Sequence, residues 1–208
     1  MKKNHLDGIE NIIFDLGGVI IDIDHYRTAD EFKKLGVLDF IEHFSHTRQH
    51  EMFDLHEKGL ISDEEFRNRV CRELKISVST EQFDYAWNAI LIGIPKERIE
   101  LLLKLRKKYR IFMLSNTNSI HMIWMNHYLK SNYTINSYKE IFEKAYFSFE
   151  LGMRKPDLEI FEYVLKDSDL NPSKTLFVED TLKNIEAAEK VGIRTLLIKK
   201  EESILFYL

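Results

Sequence analysis

Apolar residues in this chain come in two arrangements: short unbroken runs, and longer stretches where they recur every three or four positions. Residues 11–16 form the first run, in which Ile12, Ile13 and Phe14 lead to Asp15 before Gly17-Gly18 breaks the pattern. A run this short, rich in β-branched and aromatic residues, predicts a buried strand. Similar runs at 111–114, 145–149, 175–178 and 195–198 predict four more. Helical patterns lie between them. Ile99, Leu102 and Leu103 share one face, a further helix is expected over 119–130, and another over 156–165 has Pro156 at its start with Leu158, Phe161 and Leu165 aligned. The last, over 182–191, is closed by Gly192.

From about residue 25 to residue 92 the strand-like runs disappear. Ser62 stands three residues before Glu65 as a capping box, with Phe66, Val70 and Leu74 at four-residue spacing behind it. Ser79 or Thr80 opens the next helix, with Gln82 three residues beyond Ser79. The pattern predicts a small bundle of roughly four helices. Strands alternating with helices imply an α/β fold with a parallel sheet and right-handed crossovers. The expected organisation is a discontinuous core, 1–24 and 93–208, interrupted by a helical insert at 25–92.

Composition narrows the classes. The apolar share is 44%, and three prolines with eight glycines argue against long flexible linkers. A net charge of −4 gives no general pull toward nucleic acid or anionic membrane. No stretch approaches the roughly 18 uninterrupted apolar residues of a membrane span. The first ten residues lack the apolar run of a signal peptide, so a cytoplasmic setting is expected. Cys71 is the only cysteine and, between Val70 and Leu74, reads as a packed thiol.

Ligands in open parallel sheets bind beyond the carboxyl ends of the strands. Polar residues following each strand should therefore converge. Asp15 follows the first; Ser115, Asn116, Thr117 and Asn118 follow the second; Glu179 and Asp180 follow the fourth; Lys155 precedes the helix leading to that fourth strand. Three acids, one lysine, hydroxyls and amides suit phosphoryl chemistry. A carboxylate that attacks a phosphate dianion needs a divalent cation to offset their repulsion. Asp15, Glu179 and Asp180 supply hard oxygen ligands suited to Mg²⁺. Ser115 can donate to phosphate oxygens, Lys155 balances the negative charge, and Gly17-Gly18 permits a tight turn.

Residues 13–20 (IFDLGGVI), 114–117 (LSNT), Arg154-Lys155-Pro156, and 177–180 (FVED) followed by Asn184 resemble, in order, the four motifs of the haloacid dehalogenase superfamily. The overall pattern is most similar to the branch containing sugar-phosphate phosphatases. This resemblance implies a Rossmann-like core with a helical cap, and a Mg²⁺-dependent phosphatase acting on a small phosphate monoester, such as a sugar phosphate, through an aspartyl-phosphate on Asp15. It implies Mg²⁺ held by Asp15, the carbonyl of Gly17, Asp180 and Glu179. Ser115 and Lys155, with backbone groups at Gly17 and Asn116, would hold the phosphoryl group. Cap residues Arg48, His50 and Trp87 are the expected contacts for substrate selection, Trp87 alternatively packing in the core. A monomer or homodimer with a small-molecule partner is expected.

One position departs from the family. Most of its phosphatases carry a second Asp two residues after the nucleophile, as general acid and base; here that position is Gly17. Asp22 and Asp24 are nearby substitutes, unless they cap or hydrogen-bond the start of the insert. Two alternatives follow from the departure: a 2-haloacid dehalogenase, which works without metal, or a phosphate-binding protein with decayed activity. The Glu179-Asp180 pair opposes the first, because adjacent uncompensated carboxylates repel. Intact Asp15, Ser115, Lys155 and Asp180 oppose the second.

Overall fold

The computed structural model describes residues 5–38, 40, 47–199 and 202–208, with the side chains of 47–50 outside the description. Five strands form one parallel sheet: β1 (Asn11–Phe14), β4 (Arg110–Ser115), β5 (Lys144–Phe147), β6 (Thr175–Glu179) and β7 (Arg194–Leu197), in the order β5-β4-β1-β6-β7. β1 lies at the centre, with Phe14 opposite Met113 on one side and Val178 on the other.

Both faces of the sheet are buried, which explains why the strands read as unbroken apolar runs. Side chains alternate across it. Ile12, Phe14, Met113 and Val178 point into one apolar layer, whereas Ile13, Phe112, Leu114 and Phe177 point into the other. Helices α5 (Lys96–Leu105) and α6 (Ser119–Tyr133) cover the first layer; α8 (Leu158–Asp167) and α9 (Leu182–Lys190) cover the second.

The segment between β1 and α5 has its own apolar core. It contains α1 (His25–Lys34), α2 (Thr47–Glu57), α3 (Asp63–Leu74) and α4 (Thr80–Asn88). Phe32, Phe66, Val70, Leu74 and Phe83 are buried together there, with only Ile120 contributed from α6. Ser79 with Gln82 forms a complete capping box on α4, whereas Ser62 caps α3 only by accepting from the Glu65 N–H, the Glu65 carboxylate pairing with Arg69 rather than closing the expected box. Asn118 caps α6 in the same way.

Five local expectations are corrected. The chain enters and leaves the helical segment through an antiparallel ribbon, β2 (Asp22–Ile23) with β3 (Leu91–Gly93), too short to give a sequence signal. β5 ends at Phe147, and the chain turns at once into α7 (Ser148–Leu151). Pro156 does not start a helix: it follows a cis peptide bond, and α8 begins at Leu158 after Asp157 in extended backbone. The inward face of α8 is Ile160, Phe161 and Val164, with Leu158 exposed; on α5, Leu105 is buried and Leu103 is not. No helix among the described residues is long and apolar enough to cross a membrane.

The turn after α2 presses on the core. Gly59 has φ +64°, and a Cβ placed there would lie 2.2 Å from the Phe149 carbonyl oxygen. Substituting Ala at a positive-φ glycine that also meets backbone destabilises by more than about 1 kcal/mol. Gly59→Ala should therefore lower the unfolding free energy by more than about 1 kcal/mol, read as a lower denaturant midpoint at an unchanged slope; an unchanged midpoint would mean that the turn is free to move off Phe149.

Candidate active site

The carboxyl ends of β1, β4 and β6 meet, and the residues after them converge as the parallel-sheet rule requires. Lys155 is the centre of the cluster. It is 1% exposed, and its Nζ donates to Asp15 Oδ1 at 2.5 Å, to Glu179 Oε2 at 2.7 Å and to the Leu114 carbonyl at 3.0 Å. The Asn116 side chain fixes its backbone, accepting from the Lys155 N–H at 2.9 Å and donating to the Lys155 carbonyl at 2.8 Å. That side-chain amide is thereby occupied in holding Lys155, a job the sequence did not suggest for Asn116.

Glu179 is equally anchored. Oε1 accepts from the N–H groups of Asp180 (3.1 Å) and Thr181 (3.0 Å), and Oε2 accepts from Asn184 Nδ2 (3.0 Å) as well as from Lys155. Asn184 thus supports the loop after β6. Asp180 lies beside the turn after β1. Gly18 has φ +71°, and a Cβ there would fall 2.2 Å from Asp180 Oδ2, so this backbone is shaped around the carboxylate. Ser115 is buried at the end of β4, its hydroxyl 3.4 Å from the Asn116 carbonyl. Ser148, fully buried, accepts from the Thr117 N–H (3.0 Å) and donates to the Thr117 carbonyl (3.1 Å), tying this loop to α7.

Charge sets what the cluster can hold. Oxygens of Asp15, Glu179 and Asp180 come within 4.8 Å of one another. Three carboxylates against one ammonium leave a net charge of −2. Burial raises the Glu179 carboxyl, but Lys155, the Asp180 side chain and Asn184 outweigh it and hold Glu179 below its usual range. Burial pushes Asp15 up to about 7, opposed by Lys155 and reinforced by Glu179 and Asp180. Burial and Glu179 likewise push Asp180 up to about 6. Burial opposes the charge on Lys155, but Asp15 and Glu179 overcome it and keep its pKa raised. The lysine's charge is therefore matched mainly by Glu179. Asp15 and Asp180 are left facing each other with one divalent cation's worth of uncompensated charge. Hard oxygen donors, this deficit and the Gly18 cradle fit Mg²⁺.

The cluster opens into a cavity of about 650 Å³, whose walls include Asp15, Gly17, Asn116 and Asp180 from the sheet side and Asp54, Glu57 and Lys58 from the end of α2. Arg154 bridges the two sides through an ion pair with Asp54 and a contact with Glu57 Oε2 at 3.1 Å; Lys58 pairs with Asp157 at 3.1 Å. Sequence reasoning did not find these groups, because ionic contacts across about a hundred residues leave no periodic signal.

The expected substrate contact at Trp87 is corrected. Trp87 does not line the cavity; its ring stacks between Phe53 and His121, each 5.6 Å away. His56, in the last turn of α2, is 2% exposed, bonded to Asp63 at 2.9 Å and stacked on Phe66. The side chains of Arg48 and His50 lie outside the described residues.

Asp22 and Asp24 also take their structural alternatives. Asp22 accepts from Arg98 Nη1 at 2.7 Å, and Asp24 caps α1 by accepting from the Tyr26 N–H at 2.9 Å.

A family model for haloacid dehalogenase-like hydrolases matches residues 9–192. The chain belongs to this family. It is 35% identical over 189 residues to a D-ribitol-5-phosphate phosphatase of Bacteroides thetaiotaomicron, covering 90% of each protein. The crystal structure of a haloacid dehalogenase family enzyme of the same organism, in complex with magnesium and inorganic phosphate, is 40% identical with a TM-score of 0.87, covering 93% of this chain and 96% of that one. A family hydrolase of Porphyromonas gingivalis is 32% identical with a TM-score of 0.84, covering 93% of both. Such relatives share both sheet and helical segment.

Raised carboxyls mean that Mg²⁺ must displace protons. Below pH 7 Asp15 is increasingly protonated, so affinity should drop on the order of tenfold between pH 8 and pH 6, with protons released on binding. Calorimetric titration in buffers of different ionisation enthalpy measures both; a pH-independent affinity would contradict this charge distribution. Gly18→Ala should weaken Mg²⁺ by about 10–100-fold, as loss of supporting contacts does at metal sites. An unaltered affinity would show that Asp180 does not depend on the Gly18 turn.

Proposed function

We propose that this protein is a Mg²⁺-dependent phosphatase that hydrolyses a small polyhydroxylated phosphate monoester through an aspartyl-phosphate on Asp15. One observation carries the reading: a buried lysine paired with two carboxylates and a third carboxylate beside them, at the carboxyl edge of a parallel sheet, with a net deficit of two charges. Asp15, Asp180 and the carbonyl of Gly17, with Glu179 behind them, would hold the cation. Bound Mg²⁺ supplies charge neutralisation between Asp15 and the phosphate dianion.

Lys155 orients the Asp15 carboxylate, at 2.5 Å, and presents its charge where phosphoryl oxygens would lie. Asp15 attacks phosphorus as the ester oxygen departs; water then attacks the same phosphorus and releases Asp15. Ser115 and the backbone around Asn116 would hold the phosphoryl oxygens. The anchoring of Glu179 by four donors keeps the lysine in place while charge moves between Asp15 and substrate.

A metal-free dehalogenase reading has nothing to offset that deficit, and no observation at this site favours it. The polar cavity, with Lys58, Asp157 and Lys183 on its walls, suits a hydroxylated leaving group. The D-ribitol-5-phosphate phosphatase among the relatives supports a sugar or polyol phosphate as substrate. In this reading residues 25–92 act as a cap over a core of 1–24 and 93–208. The ion pairs of Arg154 and Lys58 hold it closed and exclude water from the reaction. A cytoplasmic enzyme, monomeric or homodimeric, is the setting proposed for it.

A panel of polyol and sugar phosphates assayed for released phosphate tests the function. Activity is expected with Mg²⁺, to vanish with chelator, and to be absent in Asp15→Asn while circular dichroism stays that of the wild type. Turnover that survives either treatment would rule this mechanism out.

A further inference from the structure

Resting on the phosphatase reading, we propose that Glu57, from the end of α2, is the general acid and base of this enzyme, acting from the cap side in place of the carboxylate that Gly17 lacks. Phosphoryl transfer needs attacking and leaving oxygens roughly in line. With Asp15 on the sheet side, the leaving oxygen projects toward the opposite wall of the cavity, where α2 ends. The acid groups within reach there differ sharply in their commitments. Asp54 is 49% exposed and ion-paired to Arg154, and Asp157 is 45% exposed and paired to Lys58. Asp22 and Asp24 do not line the cavity and are engaged elsewhere. His25 is exposed.

Glu57, at 27%, is less exposed than Asp54 and Asp157, and keeps an enclosed carboxylate oxygen, Oε2, that accepts no hydrogen bond. Its approach to Arg154 Nη2, at 3.1 Å, is an ion contact without hydrogen-bond alignment. Burial pushes its carboxyl up to about 7, with the charge of Lys155 acting in the opposite sense. A group so placed can carry a proton at neutral pH and also give it up.

The cycle balances. As the Asp15–phosphorus bond forms and the phosphorus–ester oxygen bond breaks, the Glu57 proton passes to the departing oxygen, which leaves as an alcohol. Glu57, now a carboxylate, takes a proton from water as the water oxygen bonds phosphorus and the Asp15–phosphorus bond breaks. Phosphate leaves and Glu57 is protonated again.

The test compares two leaving groups in Glu57→Gln. A polyol phosphate needs its leaving oxygen protonated, whereas a nitrophenyl phosphate does not. Rapid-mixing kinetics should show the first turnover of the polyol phosphate slowed by about 10²–10⁴-fold, the range for losing a general acid. Release of the first equivalent of nitrophenol should be unchanged and then stall, because water activation is lost. Glu57→Asp, which keeps a carboxyl, should retain more polyol-phosphate turnover than Glu57→Gln. Equal losses on both substrates, a rise in KM with kcat kept, or an Asp variant no better than the Gln variant would overturn the proposal. So would an identical loss in Asp54→Asn, which removes the other Arg154 contact and would show that Glu57 only latches the cap. Wild-type protein that releases phosphate from neither substrate would remove the phosphatase reading itself; normal wild-type turnover with an unaffected Glu57→Gln would remove this inference alone.

Discussion

A single ammonium group, that of Lys155, governs the architecture at the carboxyl edge of the sheet. Almost wholly enclosed, it must be neutralised where it lies, because an unpaired charge in such surroundings costs several kcal/mol. Asp15 and Glu179 from two adjacent strands do this, and the Leu114 carbonyl from a third completes its hydrogen bonds. The same contacts bring three strand ends to one point. The cluster is therefore a structural tie and, in the proposed mechanism, the reactive centre, and its remaining negative charge is what gives a divalent cation a reason to bind.

The supports around Lys155 are arranged so that each reactive group is held by one that is not. Asn116 fixes the lysine backbone, Asn184 and two backbone amides fix Glu179, and the Gly18 turn makes room for Asp180. Across the cavity, Arg154 engages α2 and Asp157 engages Lys58 just beyond it, so the helical segment is positioned by charges one and two residues from Lys155 in the chain. A displacement of that loop would disturb the lysine and the cavity wall together.

Much of this was readable from residue order alone. The five strands are short apolar runs because both sheet faces are buried, and the acids at their ends stand out because charge is rare beside such runs. Capping at Ser62 and Ser79 was likewise local and legible. The unread parts depend on distance in sequence or on very short elements. The β2–β3 ribbon involves only a few residues, and Ser148 is an ordinary serine until Thr117 meets it. Trp87 could face a ligand or a core on sequence logic, and the packing of Phe53 and His121 decides it. Glu57 reads as one more acid near a helix end. Its meaning comes from a cavity that the chain closes nearly a hundred residues later.

The most direct test of the account is chemical trapping at Asp15. Wild-type enzyme in excess over a turned-over phosphate ester, with Mg²⁺, is quenched within the first turnover, reduced with borohydride and digested for mass spectrometry. The account predicts homoserine in place of aspartate at position 15, appearing only with both substrate and Mg²⁺. Phosphate release with Asp15 left unmodified throughout, or with the label on another residue, would contradict it.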